Sequence, residues 1–230
     1  MNFYYMFIIQ GDLMLKNIKG AIFDLDGTLI DSMWVWAKID QDFLSAYNCP
    51  LPDDLRNEIE HLSFTQTAVY FKKRFCLQAS IEEIMQEWTD MAFNEYSNNV
   101  TLKPGAKDYL NFLKAKGIKL CLATSNTREL LEVVLKNNGI YDLFDEIVTT
   151  NEVKRGKNFP DIYLLAAERL ELTPEECIVF EDILPAVMGA KSAGMKVVGV
   201  YDAYSEFQKG EITNIADHYI LDYYNLDKAI

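Results

Sequence analysis

Six short apolar runs recur along the chain, and most of them end in acidic or hydroxyl-bearing residues. They are GAIFDL (20–25), KLCLAT (119–124), EIVTT (146–150), CIVFED (177–182), KVVGVYD (196–202) and HYILDY (218–223). Each is continuous rather than alternating in polarity, as expected of strands covered on both faces in a parallel sheet. Between them lie stretches with helical spacing: residues 103–117, 127–139, 161–172 and 185–194. Most of these close on Gly or Asn-Gly, which can take the left-handed cap conformation. Strand–helix–strand repetition predicts an α/β fold, a Rossmann-like doubly wound parallel sheet.

One section breaks the rhythm. From Met33 to Asn99 only helical patterns occur: MWVWAKIDQDFLSAY, DDLRNEIEHL, FTQTAVYFKKRF and SIEEIMQEWTDMAFNEY. Ser80 followed by Glu83 reads as a capping box opening the last of these. The expected division is therefore an α/β core from residues 14–31 and 101–230, with an all-helical insert over 32–100. The joins are expected at Asp31–Met33 and Val100–Pro104. Residues 1–13 (MNFYYMFIIQGDL) are too short an apolar stretch to span a bilayer. They also lack the basic start and small-residue cleavage site of a signal peptide. They are taken as an N-terminal extension, because Met14 would itself be a sensible start for the first strand.

The net charge of -13 over 230 residues repels nucleic-acid backbones. The expectation is no nucleic-acid partner, no membrane association and a monomer. A phosphorylated substrate would then need a locally positive group or a metal ion to hold it. Cys49, Cys76, Cys121 and Cys177 are scattered, with no paired spacing and no histidine nearby. They read as reduced thiols, which points to the cytoplasm.

In open α/β sheets ligands bind beyond the carboxyl ends of the strands, so those ends matter most. They carry Asp24, Asp26, Gly27 and Thr28 after the first run, and Thr124, Ser125 and Asn126 after the second. Lys154, Arg155 and Lys157 follow the third, and Glu181 and Asp182 the fourth. Carboxylates brought together from two strands repel unless a hard cation lies between them. Mg²⁺ suits such a set because it takes a few carboxylate oxygens and keeps positions for water and phosphate. A lysine and a hydroxyl would orient the remaining phosphate oxygens. An aspartate can attack phosphorus to give an acyl-phosphate, and a second can protonate the leaving oxygen. Asp-Gly is also ordinary turn chemistry, and Thr124 or Ser125 can serve simply as a strand end or helix cap.

The order DLDGTL, TSN, a lysine ahead of PD, and then ED resembles the haloacid dehalogenase superfamily of phosphohydrolases, from Ile22 to about Asp202. The resemblance implies Asp24 as nucleophile and metal ligand. Asp26 would be the general acid/base with its backbone carbonyl on the metal. Thr124 would bind phosphoryl with the amides of Ser125 and Asn126, Lys157 would be the site lysine, and Asp182 would complete a Mg²⁺ site with Glu181 beside it. The helical insert matches the family's small cap, and the substrate would be a small phosphorylated metabolite. Ile183, Ala186 and Asn158 depart from the commonest pattern around the Glu-Asp and lysine motifs. A β-phosphoglucomutase-like reading competes. Similar mutases place a histidine and an arginine in the cap, at positions that fall here near Trp36 and Phe64. A non-catalytic phosphate-binding module on the same fold is disfavoured, because repelling carboxylates would be retained for nothing. His61 and His218 read as surface and structural residues; Trp34, Trp36 and Trp88 read most simply as packing the helices together, with lining of an apolar pocket by Trp34 or Trp36 the alternative.

Overall fold

A computed structural model describes residues 14–224 and 226; the expected extension over 1–13 lies outside the described residues. All six apolar runs form strands: β1 (Gly20–Phe23), β2 (Lys119–Thr124), β3 (Glu146–Thr149), β4 (Cys177–Glu181), β5 (Lys196–Val200) and β6 (His218–Ile220). They pair in parallel in the order β3-β2-β1-β4-β5-β6. Several stop one to three residues short of the apolar run, and β1 ends before Asp24. The ladder ends where side chains must turn inward to the rim rather than pair with a neighbour.

Side-chain alternation divides the core in two. Ala21 and Phe23 of β1 face helices α5 (Ala106–Ala115) and α6 (Arg128–Asn137), with Phe23 and Phe180 stacked at 4.4 Å. Ile22 faces the other side, against α7 (Asp161–Arg169) and α8 (Leu184–Ser192). Gly117, Gly139 and Gly194, each just past a helix, all have positive φ, as their sequence positions predict.

The insert contains α1 (Met33–Ala46), α2 (Leu55–Ile59), α3 (Phe64–Arg74) and α4 (Ile81–Asn98). The Ser80–Glu83 capping box forms, and Ser63 with Gln66 makes a second one that opens α3. Phe43, Phe71 and Trp88 pack edge-on to bind three of the helices. The two joins are zipped together: Asp31 N–H donates to the Thr101 carbonyl at 2.9 Å, and Lys103 N–H to that of Leu29 at 2.8 Å. One region was not anticipated. Between β5 and β6 lie a 3-10 segment, Ala203–Gln208, and helix α9 (Lys209–Ile215). Gly210 and the short length leave no helical period for a sequence reading to find.

Candidate active site

The strand order explains why the site lies where it does. β1 is central, and the chain leaves it toward β2 on one side and later β4 on the other. That makes the carboxyl end of β1 the topological switch point, where a crevice opens. Asp24 extends β1 by one residue, its N–H donating to the Phe180 carbonyl at 3.1 Å. Thr124 ends β2, and Glu181 ends β4 with Asp182 next to it. The structure brings all of these together.

Lys157 arrives from the loop after β3, at the far side of β2. That loop can reach inward because α8 presents Gly189 to it: a Cβ there would overlap the Lys157 carbonyl oxygen. The Lys157 ammonium is buried, donates to Asp24 Oδ1, and lies 2.7 Å from Glu181 Oε1. Lys154 is exposed instead, and Arg155 is held by Asp161 at 2.6 Å on the surface. Of the three cations in this loop, only Lys157 enters the site.

Asp24, Glu181 and Asp182 are buried with carboxylate oxygens close enough to share an ion. Glu181 Oε1 also accepts from Tyr163 OH at 2.9 Å, and Asp182 Oδ1 from Thr28 Oγ1 at 3.2 Å. Glu181 Oε2 and Asp182 Oδ2 are buried with no partner among the described residues. Burial pushes all three carboxyls above their ordinary pKa, opposed by the Lys157 charge. Burial also works against the Lys157 charge, but Asp24 and Glu181 outweigh it and hold the ammonium protonated. If ionised, three carboxylates against one ammonium leave an excess of two negative charges. That excess, with two orphaned oxygens, fits one divalent cation with oxygen ligands. Gly27 makes this approach possible. It sits at φ 84, and a Cβ there would strike Asp182 Oδ2.

Asp26 is held differently. Its Oδ1 accepts from Ser32 Oγ at 2.6 Å, from Tyr96 OH, and from Trp36 Nε1 at 3.4 Å; its Oδ2 accepts from Asn126 Nδ2 at 2.9 Å. Ser32, Trp36 and Tyr96 belong to the insert or its entrance, so the insert aims this carboxylate. The Asn126 N–H donates to Thr124 Oγ1 at 3.0 Å, which shapes the turn after β2, and Ser125 lines the cavity beside it. Tyr96, Tyr163 and Ser32 were not anticipated. Thr28 carried a signal, because it lies within the DLDGT motif itself.

The rim opens into a cavity of about 460 Å³ whose other wall is the insert. Trp36 lines it, while His61 and Trp34 are not among its lining residues.

The family described as haloacid dehalogenase-like hydrolase matches residues 21–200, and the chain belongs to that family. It is a phosphohydrolase. A phosphatase of phosphorylated carbohydrates from Thermotoga maritima is 32% identical over 191 residues, covering 82% of this chain and 88% of that protein. A probable pseudouridine-5'-phosphatase from Drosophila melanogaster is 30% identical over 201 residues, covering 82% and 84%. The crystal structure of CbbY from Rhodobacter sphaeroides in complex with phosphate shares the fold, with a TM-score of 0.79 at 23% identity, over 91% of this chain and 96% of that one.

Proposed function

We infer that this protein is a Mg²⁺-dependent phosphatase that hydrolyses a small phosphate monoester through an aspartyl-phosphate on Asp24. One observation carries the reading: Asp24 lies against Lys157 in a buried group with Glu181 and Asp182, whose carboxylates are close enough to share one ion and each keep an unpartnered buried oxygen. The chemistry that the phosphatase relatives share, release of phosphate from small metabolites, agrees with it.

In this reading Asp24 attacks phosphorus, and Lys157 with Thr124 and the turn at Ser125 and Asn126 orients the phosphoryl oxygens. Asp26 gives a proton to the leaving oxygen and later takes one from the attacking water. Asp24, Glu181, Asp182 and the Asp26 carbonyl would hold Mg²⁺, which when bound offsets the charge on the carboxylates and the phosphoryl group. Residues 32–100 act as a cap that excludes bulk water while the aspartyl-phosphate forms. The mutase alternative needs a second phosphate site, and Trp36 and Phe64, where similar mutases carry theirs, pack edge-to-face at 5.8 Å. Water is therefore the proposed acceptor. The four cysteines are free, which supports a reducing cytoplasm, and among the described residues no helix is long and apolar enough to cross a membrane.

Phosphate release across a panel of monoesters, with Mg²⁺ and with EDTA, tests this. Asp24→Asn should lower kcat by on the order of 10³-fold or more. Full activity in that variant, or indifference to EDTA, sinks the mechanism. Conversion of β-glucose 1-phosphate to glucose 6-phosphate faster than phosphate release would favour the mutase.

A further inference from the structure

The chain end past β6 returns to the floor of the site. Tyr223 is buried, and its N–H donates to the Pro104 carbonyl at 2.9 Å. Gly105 allows this approach: it sits at φ 79, and a Cβ there would lie 2.8 Å from the Tyr223 carbonyl carbon. Seated in this way, the Tyr223 ring packs with Phe23, Phe180 and Tyr109, its centroid 6.4, 6.0 and 5.8 Å from theirs. Phe23 directly precedes Asp24, and Phe180 directly precedes Glu181.

The ring carries its hydroxyl to the turn that follows Asp24. Tyr223 OH donates to the Thr28 carbonyl at 3.2 Å, a bond between residues 195 positions apart. Thr28 Oγ1 in turn donates to Asp182 Oδ1 at 3.2 Å, and Asp182 Oδ2 is left buried without a partner among the described residues. The two oxygens of a carboxylate exchange by rotation about one bond, so a donor on one of them decides which stays free. Thr28 serves as that donor only while its peptide is held, because turning the peptide swings Oγ1 off Asp182. Core filling alone does not call for the Tyr223 hydroxyl. Tyr109, in the same ring cluster, buries its own with no partner among the described residues.

We propose that Tyr223 is a positioning residue for a divalent cation: through the Thr28 peptide it holds Asp182 with Oδ2 available as a ligand. The proposal rests on the Mg²⁺ reading of the site. Tyr223 lies beyond residues 21–200, which carry the family likeness, so none of the rim motifs contains it. Removing a group that hydrogen-bonds a metal ligand costs roughly 10- to 100-fold in affinity. Thr28 is such a group, and Tyr223 acts one link behind it.

The test measures Mg²⁺ dissociation constants by calorimetry, without substrate, on the parent protein and four variants. Thr28→Val should weaken binding by about tenfold or more. Tyr223→Phe, which keeps the ring in its cluster and removes one oxygen, should weaken it by roughly three- to tenfold. The double variant should be no weaker than Thr28→Val, because the two residues act in series. Tyr109→Phe, the same change on the neighbouring ring, should leave affinity within about twofold of the parent. Urea melts confirm that each variant is folded at the assay temperature. In Tyr223→Phe, activity should fall at limiting Mg²⁺ and kcat should recover when Mg²⁺ is raised, which damage to the fold would not allow. Unchanged affinity in Tyr223→Phe overturns the proposal. So does an equal loss in Tyr109→Phe, additive losses in the double variant, or a kcat that stays low at saturating Mg²⁺. No Mg²⁺ binding by the parent protein sinks the metal reading itself and the proposal with it, whereas each of the other failures leaves that reading standing.

Discussion

The two walls of the cavity obey different rules. On the core rim the charged groups are mutually engaged: Lys157 between Asp24 and Glu181, Tyr163 on Glu181, Thr28 on Asp182. On the insert wall the rings satisfy one another while Arg56, Glu60 and Trp88 keep unpartnered atoms. The rim is organised to hold one fixed chemistry, with two oxygens spare for one ion. A change confined to one wall should therefore leave the other recognisable.

After Asp24→Asn, the largest expected effect falls on the rim without touching a reacting group. In Gly189→Ala the new methyl would press on the Lys157 carbonyl and displace the loop that delivers the ammonium. A shift near 1 Å should lower kcat by on the order of 10²-fold, whichever monoester is turned over. Steady-state kinetics on two monoesters of different size checks this, and a loss that depended on the ester would blur the division between walls.

Gly156→Ala probes the contact between the two. A Cβ there would meet the carbonyl of His61, in the turn after α2, and push the insert away from the core. Both kcat and KM should worsen, by about tenfold, because α2 and the turn after it line the cavity. If KM were unaffected, this turn would not set the closed position of the insert.

The smallest effect belongs to the wall alone and is read as stability. Burial lifts Asp40 from 3.8 to about 7, with Arg56 opposing. Well below pH 3.8 the carboxyl is neutral in both folded and unfolded chains and costs little. As pH rises toward 7 the unfolded chain ionises while the folded one resists, so this residue's contribution becomes increasingly destabilising, then levels off. Asp40→Asn removes that penalty. Its advantage over the parent in urea melts should grow from pH 5 to 7 and stay constant at pH 8. A pH-independent difference would show that Asp40 is not buried against its charge.

Local chemistry made much of this molecule legible beforehand. The apolar runs became strands because a buried parallel strand needs apolar side chains on both faces, a property of consecutive residues. Ser80 and Glu83 cap α4 as expected because both partners lie within one turn. Asp24, Lys157 and Asp182 were visible because each sits at a strand end or in the loop after one, and the doubly wound topology sends those ends to one rim. The insert wall had no such rule. Nothing in α1 or α4 announces that Trp36 and Tyr96 will donate to Asp26, the latter from 70 residues away. Gln208 lay in a stretch assigned no element at all, yet it joins the loop after Asp182 to Glu60.

The sequence by itself determined the parallel sheet and which carboxylates stand at its strand ends, because periodicity, capping and strand-end position are encoded among neighbours in the chain. Only the tertiary structure decided how the loop after β3 delivers the Lys157 ammonium to Asp24 and how Asp26 is aimed. Those outcomes depend on close approaches across the fold, Gly189 beneath Lys157 and Gly156 beneath His61, and on which polar atoms are cut off from partners when the insert packs against the core.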